Sequence, residues 1–259
     1  AALERSVGAP VVQRSARGTL LTEPGRLLVE SAAAITAELS HVQHEIGRLA
    51  SGTQDKLTVA TFTSGGQRLL PAALTRIHAR HPSVELTVLE AEPAESLALV
   101  RAGDADLALA YHFDGPPPVR PADRSGLEWT ELLDDPMWIV LPATHRLAGR
   151  PSIPLAELAG ERWVHGCIQI AAQINTFAAL AGFAPQVSCS TTDYTFAQSL
   201  VAAGVGVALI PQIALAPSSG VVTAELESPR PCRHIGIAVR KRRPRTIVAD
   251  LISELTSTA

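Results

Sequence analysis

The chain of 259 residues predicts an α/β protein with two lobes, set behind a short wing and one long helix. Three patterns carry that expectation. An Arg-rich hairpin, Arg14-Ser15-Ala16-Arg17-Gly18-Thr19-Leu20-Leu21-Thr22, runs straight into a helix with a heptad seam. From Lys56 onward strand and helix patterns alternate, and the third strand, Asp106 to Tyr111, is nearly all apolar, as a parallel sheet buried on both faces requires. A second alternating set begins near Arg162 after an extended link. Two such sets imply two lobes with a cleft between them, and a hinge that lets the lobes move around a small molecule.

The elements follow in order. Arg at both ends of the hairpin with Gly between suits a tight wing lying along phosphates. The helix after it carries apolar residues at Leu28, Ala32, Ile35, Leu39, Val42, Ile46 and Leu49. These steps alternate four and three, the spacing of a coiled-coil seam, so the expected partner is a second copy of the chain. Thr22 is its N-cap, Glu23 complements the dipole, and Pro24 is tolerated where first-turn amides lack partners. The helix should end near Ala50, before the breaker Ser51-Gly52-Thr53. The first lobe then reads strand 57–62, helix 66–80, strand 84–90, helix 93–102 and strand 106–111. A Pro- and Asp-rich loop leads to a strand pair, 127–133 and 138–142. The second set reads strand 162–165, helix 168–181, strand 186–190, helix 194–203 and strand 205–210. Strands near 221–226 and 234–239 and a last amphipathic helix over 246–255 complete the chain, the final strand and helix returning to the first lobe.

Composition narrows the class. A hydrophobic fraction of 46% supports buried sheets and argues against disorder. The net charge of −3 excludes a chain that is basic throughout, yet residues 1–26 hold four Arg against two Glu. No apolar run reaches the length of a membrane span, and no signal-peptide pattern opens the chain. The opening Ala1-Ala2-Leu3-Glu4 reads as the interior of a helix, so the true N-terminus is expected to lie upstream. Cys167, Cys189 and Cys232 have no metal-like spacing and fit a reducing cytoplasm. His41 with His44, and His78 with His81, have helical pair spacing without a third ligand, so no metal site is expected. Arg240-Lys241-Arg242-Arg243-Pro244-Arg245 reads as a charged turn. No nucleophile elbow, phosphate loop or converging acid–base pair appears, so an enzyme is not expected and no cofactor is called for.

Ala2-Leu3-Glu4, Gly8, and Arg14-x-x-Arg17-Gly18-x-x-Leu21-Thr22-x-x-Gly25 together resemble the end of the winged helix-turn-helix domain of LysR-type transcriptional regulators. Leu57-Thr58-Val59-Ala60 through Leu69-Leu70-Pro71, Pro82-x-Val84-x-Leu86 and Gly103-x-x-Asp106-Leu107-Ala108-Leu109 resemble that family's first lobe. Val201-Ala202-Ala203-Gly204-x-Gly206-Val207-Ala208-Leu209-Ile210-Pro211 resembles its second. Two positions depart: Val11-Val12 stands where the family has a Leu-Phe pair anchoring the wing, which suggests looser wing packing, and Pro24 replaces a small residue. The resemblance implies a two-lobed, periplasmic-binding-protein-like effector domain in a cytoplasmic transcription factor. Its partners would be operator DNA, a small-molecule effector and itself, as a homodimer or homotetramer, with no membrane. It implies a division into a DNA-binding remnant at 1–22, a linker helix and hinge at 23–52, lobe I at 56–126 plus 237–259, and lobe II at 127–236. A solute-binding protein of a transport system shares the two-lobed fold and is the alternative, although such a protein has no wing or dimer helix.

Candidate contacts follow. Arg14 and Arg17 are the expected phosphate or minor-groove contacts. Leu28, Ile35, Leu39, Val42, Ile46 and Leu49 are the dimerisation residues. Thr61-Phe62-Thr63-Ser64-Gly65-Gly66 exposes a helix start suited to a carboxylate or other anion, and the same hydroxyls would serve as plain caps. The resemblance places an effector at this junction, which selects Thr63 and Ser64. Strand ends at a cleft add Tyr111, His165 and Thr192, with His112 beside Tyr111 and with Asp193 read as an N-cap.

Overall fold

The computed structural model describes residues 2–15, 18–51, 56–113, 117–119, 126–241 and 244–258. A first helix α1 (Ala2–Val7) leads to the hairpin β1 (Val12–Ser15) and β2 (Gly18–Leu21), paired antiparallel with Val12 opposite Leu21. Thr22 caps the long helix α2 (Glu23–Ser51): its Oγ1 accepts from the Gly25 amide at 3.1 Å and donates to the Pro10 carbonyl at 2.6 Å. The backbone of Val11 passes so close that a Cβ on Gly25 would sit 1.9 Å from its carbonyl oxygen, so this helix start admits only glycine. Val11 is buried and Val12 exposed, so one of the two unusual wing positions still anchors the hairpin. Arg17 lies outside the described residues, and of Arg14 only the backbone is described, opposite Thr19.

The first lobe contains β3 (Lys56–Thr61), α3 (Thr63–Arg68), α4 (Leu70–Arg80), β4 (Glu85–Glu90), α5 (Pro93–Ala102) and β5 (Leu107–Phe113). The helix expected over 66–80 is two helices starting at Thr63. Pro71 has no amide to donate back into α3, so the chain resets at Leu69 and Pro71 occupies the first turn of α4. Next comes β6 (Leu127–Pro142), a single strand of 16 residues where a strand pair was expected. Asp134-Asp135-Pro136 reads as a turn in sequence, but Pro136 falls where the strand changes neighbours, and there a missing amide costs no ladder bond.

The second lobe adds β7 (Ser152–Ile153), β8 (Arg162–His165), α6 (Ile168–Leu180), β9 (Gln186–Ser190), α7 (Tyr194–Ala202), β10 (Ala208–Pro211) and β11 (Val221–Leu226). The chain closes with β12 (Cys232–Arg240) and α8 (Thr246–Thr258). Among the described residues one mixed sheet runs β4-β3-β5-β12-β6-β11-β7, with β10 also on β6, and β8 pairs with β9 separately. The first half of β6 pairs with β12, and its second half pairs with β10 and β11. Thus β6 leaves the first lobe and β12 returns to it.

Burial follows the same division. Leu57, Val59, Leu107, Leu109 and Ile237 pack under α4 and α8 on one face of the first lobe's sheet. Ala60, Leu97, Val100 and Ala108 pack under α5 on the other. Arg76 and Arg80 of α4 both pair with Glu254 of α8, and His81 Nε2 lies 2.8 Å from Asp250 Oδ2, so α8 packs on the first lobe's α4. Met137, Ile139, Trp163, Ile170, Tyr194 and Val201 form the core of the second.

Candidate functional site

Where the lobes meet, a fully buried arginine organises the site. Arg233, on β12, is 1% exposed and Asp135, on β6, is 0% exposed. Arg233 donates from Nε at 3.0 Å and from Nη2 at 2.6 Å to Asp135 Oδ2. Asp135 Oδ1 accepts from the Ile213 amide at 3.0 Å. The same Nη2 donates to Ser64 Oγ at 3.0 Å. Three rings surround the guanidinium: Tyr111 at 4.7 Å, Phe62 at 5.1 Å and Tyr194 at 5.9 Å from their centroids. Phe62 and Tyr111 meet edge to face, the geometry that their quadrupoles favour. Burial opposes the charge on Arg233, but the charge of Asp135 and its hydrogen bonds outweigh it and hold the guanidinium above its ordinary value. Burial pushes both Tyr111 and Tyr194 well above the usual phenol range, so both stay neutral donors.

The local backbone makes room for this cluster. A Cβ on Gly65 would lie 2.7 Å from the Phe62 ring, and one on Gly166 would lie 2.5 Å from the Tyr194 ring. Both glycines therefore allow an aromatic ring to seat against the main chain. On the hinge side, Arg68 of α3 donates to the carbonyls of Ile213 at 3.0 Å and Leu215 at 2.8 Å, tying the first lobe to the chain after β10.

The expected residues divide. Ser64 and Tyr111 meet at Arg233, and the Tyr111 hydroxyl also donates to Glu92 Oε2 at 2.7 Å. His165 ends β8 beside Gly166 and is 3% exposed. Its Nε2 is buried without a hydrogen-bond partner among the described residues, and burial holds its pKa below the usual imidazole value. Thr63 Oγ1 donates instead to Glu90 Oε1 at 2.6 Å, and Thr192 is exposed in the turn before α7, outside the buried cluster. Asp193 caps α7, accepting from the amides of Thr195 and Phe196. His112 faces the opposite side of β5 from Tyr111 and stacks on His234.

Arg233 and Asp135 were not anticipated. The one signal in the sequence is a pair of acidic residues inside an otherwise apolar run, matched by an isolated Arg at the start of a distant apolar strand. On α2, Ile35, Leu39, Val42 and Ile46 are all exposed large apolar residues, with Ile35 at 70% and Leu39 at 59%. Leu28 is half-buried, and the side chain of Leu49 lies outside what is described.

Fold and site together define a class: a two-lobed domain with a buried ion pair where its lobes meet, carried behind a hairpin and a long helix. The family model for the LysR substrate binding domain matches residues 50–259, and the chain belongs to that family. The chain is 26% identical to the DNA-binding transcriptional dual regulator OxyR of Escherichia coli K12, over 93% of this chain and 78% of that protein. It is 29% identical to a probable hydrogen peroxide-inducible genes activator of Mycobacterium avium, over 99% of this chain and 83% of that protein. Among solved structures, a full-length variant of OxyR from Pseudomonas aeruginosa superimposes with a TM-score of 0.63 at 21% identity, over 98% of this chain and 82% of that one. The BenM effector binding domain with its effector benzoate gives 0.65 at 17% identity, over 80% and 92%. Full-length CbnR in complex with target DNA gives 0.61 at 20% identity, over 100% and 87%. These likenesses identify the second part of the chain as the periplasmic-binding-protein-like effector domain of a LysR-type regulator. Both relatives are named as regulators, not as enzymes or solute-binding proteins. No helix among the described residues is long and apolar enough to cross a membrane.

Proposed function

We propose that this chain is a sequence-specific, DNA-binding transcriptional regulator of the cytoplasm that responds to a small anionic molecule held between its lobes. The supporting observation is the buried Arg233, which touches Ser64 and Tyr111 of the first lobe, Asp135 in the crossing strand and Tyr194 of the second lobe. A carboxylate arriving here competes with Asp135 for one guanidinium, and the choice between the two alters how the lobes are tied. Ser64, Tyr111 and His165 line the inner site in this reading, with Thr63 and Thr192 at its margins. The solved BenM domain, with its effector benzoate, supports an anion on this fold.

Arg14 and Arg17 contact phosphates, and residues 1–22 belong to the DNA-binding unit. The apolar stripe Leu28, Ile35, Leu39, Val42, Ile46 and Leu49 of the linker helix pairs with that of a second copy, giving a homodimer or homotetramer. The CbnR complex with target DNA supports the DNA assignment. Calorimetric titration of small carboxylates into the parent and Ser64→Ala tests the effector reading. The expected result is a hit from the panel that binds Ser64→Ala several-fold more weakly, with thermal unfolding little changed, since one charge-assisted hydrogen bond is lost. Equal affinities, or no carboxylate bound at all, would contradict it.

The names of the relatives favour one second reading, in which the signal is a peroxide. The Cys167 thiol is buried at the start of α6, next to Gly166, whose backbone abuts the Tyr194 ring. Attack of its thiolate on a peroxide would give a sulfenic acid and release water or an alcohol. A peroxide response that survives Cys167→Ser would reject it.

A further inference from the structure

We propose a second site: a zinc-class divalent metal held by Asp134, Cys232 and His234 on the reverse of the hinge strands. Side chains alternate across a strand, so Arg233 and Asp135 face the buried aromatic cluster while their neighbours Cys232, His234 and Asp134 face away from it. Register brings these neighbours together. His234 stands opposite Asp134 on β6 and His112 on β5, with Cys232 two residues earlier on the same face as His234. Ligand atoms of Asp134, Cys232 and His234 all lie within 4.8 Å of one another, and His234 Nδ1 is already 2.7 Å from Asp134 Oδ1.

A thiolate, an imidazole and a carboxylate form a mixed donor set that suits zinc and its neighbours better than magnesium or calcium. Three protein donors leave a coordination position for water, the pattern of an exchangeable ion. The Asp134 side chain is 72% exposed, which gives the ion a way in.

A second imidazole packs on the site. The ring of His112 stacks on His234 with centroids 5.0 Å apart. Its Nδ1 lies 2.8 Å from the Phe113 carbonyl oxygen, with Nε2 on the other side of the ring. That Nε2 is buried with no hydrogen bond among the described residues, and Glu131 Oε1 stands 3.8 Å away. Metal binding expels the thiol proton of Cys232, so a proton is released as the ion enters. Because β6 and β12 are the strands that pass between the lobes, an ion here joins them at the hinge, behind Arg233. The metal site stands on its own geometry and does not depend on the effector reading.

Titration of the full chain with Co²⁺, followed by displacement with Zn²⁺, tests the site. The expected result is one equivalent of Co²⁺ with a thiolate-to-metal charge-transfer band that persists in Cys189→Ser and vanishes in Cys232→Ser. Zn²⁺ should bind His234→Ala and Asp134→Asn roughly tenfold or more weakly than the parent. Asp134→Asn changes a largely exposed side chain, so its result does not depend on refolding a core. No thiolate band in the parent, a band that survives Cys232→Ser, or parent-like Zn²⁺ affinity in either other variant would overturn the proposal.

Discussion

At the scale of single residues, the pairing of Arg233 with Asp135 has the largest energetic consequence. Neither group is in contact with water, so removing one partner leaves an uncompensated charge in a low-dielectric setting. Asp135→Leu should lower stability by about 3–5 kcal/mol in denaturant unfolding, and the double variant with Arg233→Met should recover most of the loss. A double variant as unstable as the single one would show that the pair is not the cause. His165 makes a pH prediction. Burial lowers its folded pKa, so its neutral form is favoured in the native state. Its stability contribution is intact above the unfolded value of about 6.5 and is lost as the pH falls from there through the lowered folded value, because the unfolded chain takes the proton first. Melting temperatures measured from about pH 7.5 to 5 should therefore fall more steeply for the parent than for His165→Leu, which has nothing to titrate there. Parallel curves would contradict this.

At the scale of elements, α2 presents an apolar stripe with no cover along its middle turns. Ile35, Leu39, Val42 and Ile46 are exposed in one chain at the heptad spacing of a helix pair, and such a patch on a soluble surface marks an interface. Leu39→Glu should shift sedimentation toward the monomer while leaving the melting of the lobes unchanged; a profile like the parent's would count against the pairing. Elements of this kind are legible in sequence because their signals are local. The long helix, the Thr22 cap, the apolar strand expected at 106–111 and the Asp193 cap each rest on a few neighbouring residues, and the structure has a helix at 23–51, a strand at 107–113 and both caps. The misreadings share a cause. Pro71 and Asp134-Asp135-Pro136 look like punctuation or its absence until their neighbours are known: Pro71 divides a helix that seemed continuous, and Pro136 fails to break a strand because two different strands meet it there. The buried pair was invisible for a stronger reason. Asp135 and Arg233 are 98 positions apart, neither sits in a motif, and only the return of β12 alongside β6 brings them together.

At the scale of the whole molecule, two strands and one ion pair join the two lobes. β6 and β12 carry Arg233 and Asp135 on their cleft face, and Arg68 bridges from α3 to the chain after β10. A ligand that prefers one arrangement of the lobes shifts the population toward it by its difference in affinity for the two, and no further. In the proposed function the linker helices are paired, and that shift then changes how two DNA-binding units are spaced. The most direct measurement is a footprint of the full-length polypeptide on DNA from its own promoter region, with and without a carboxylate found by calorimetry. The account predicts a protected region whose extent changes on adding the ligand to the parent and stays fixed in Ser64→Ala. A footprint indifferent to the ligand, or no protection of that DNA, would contradict it.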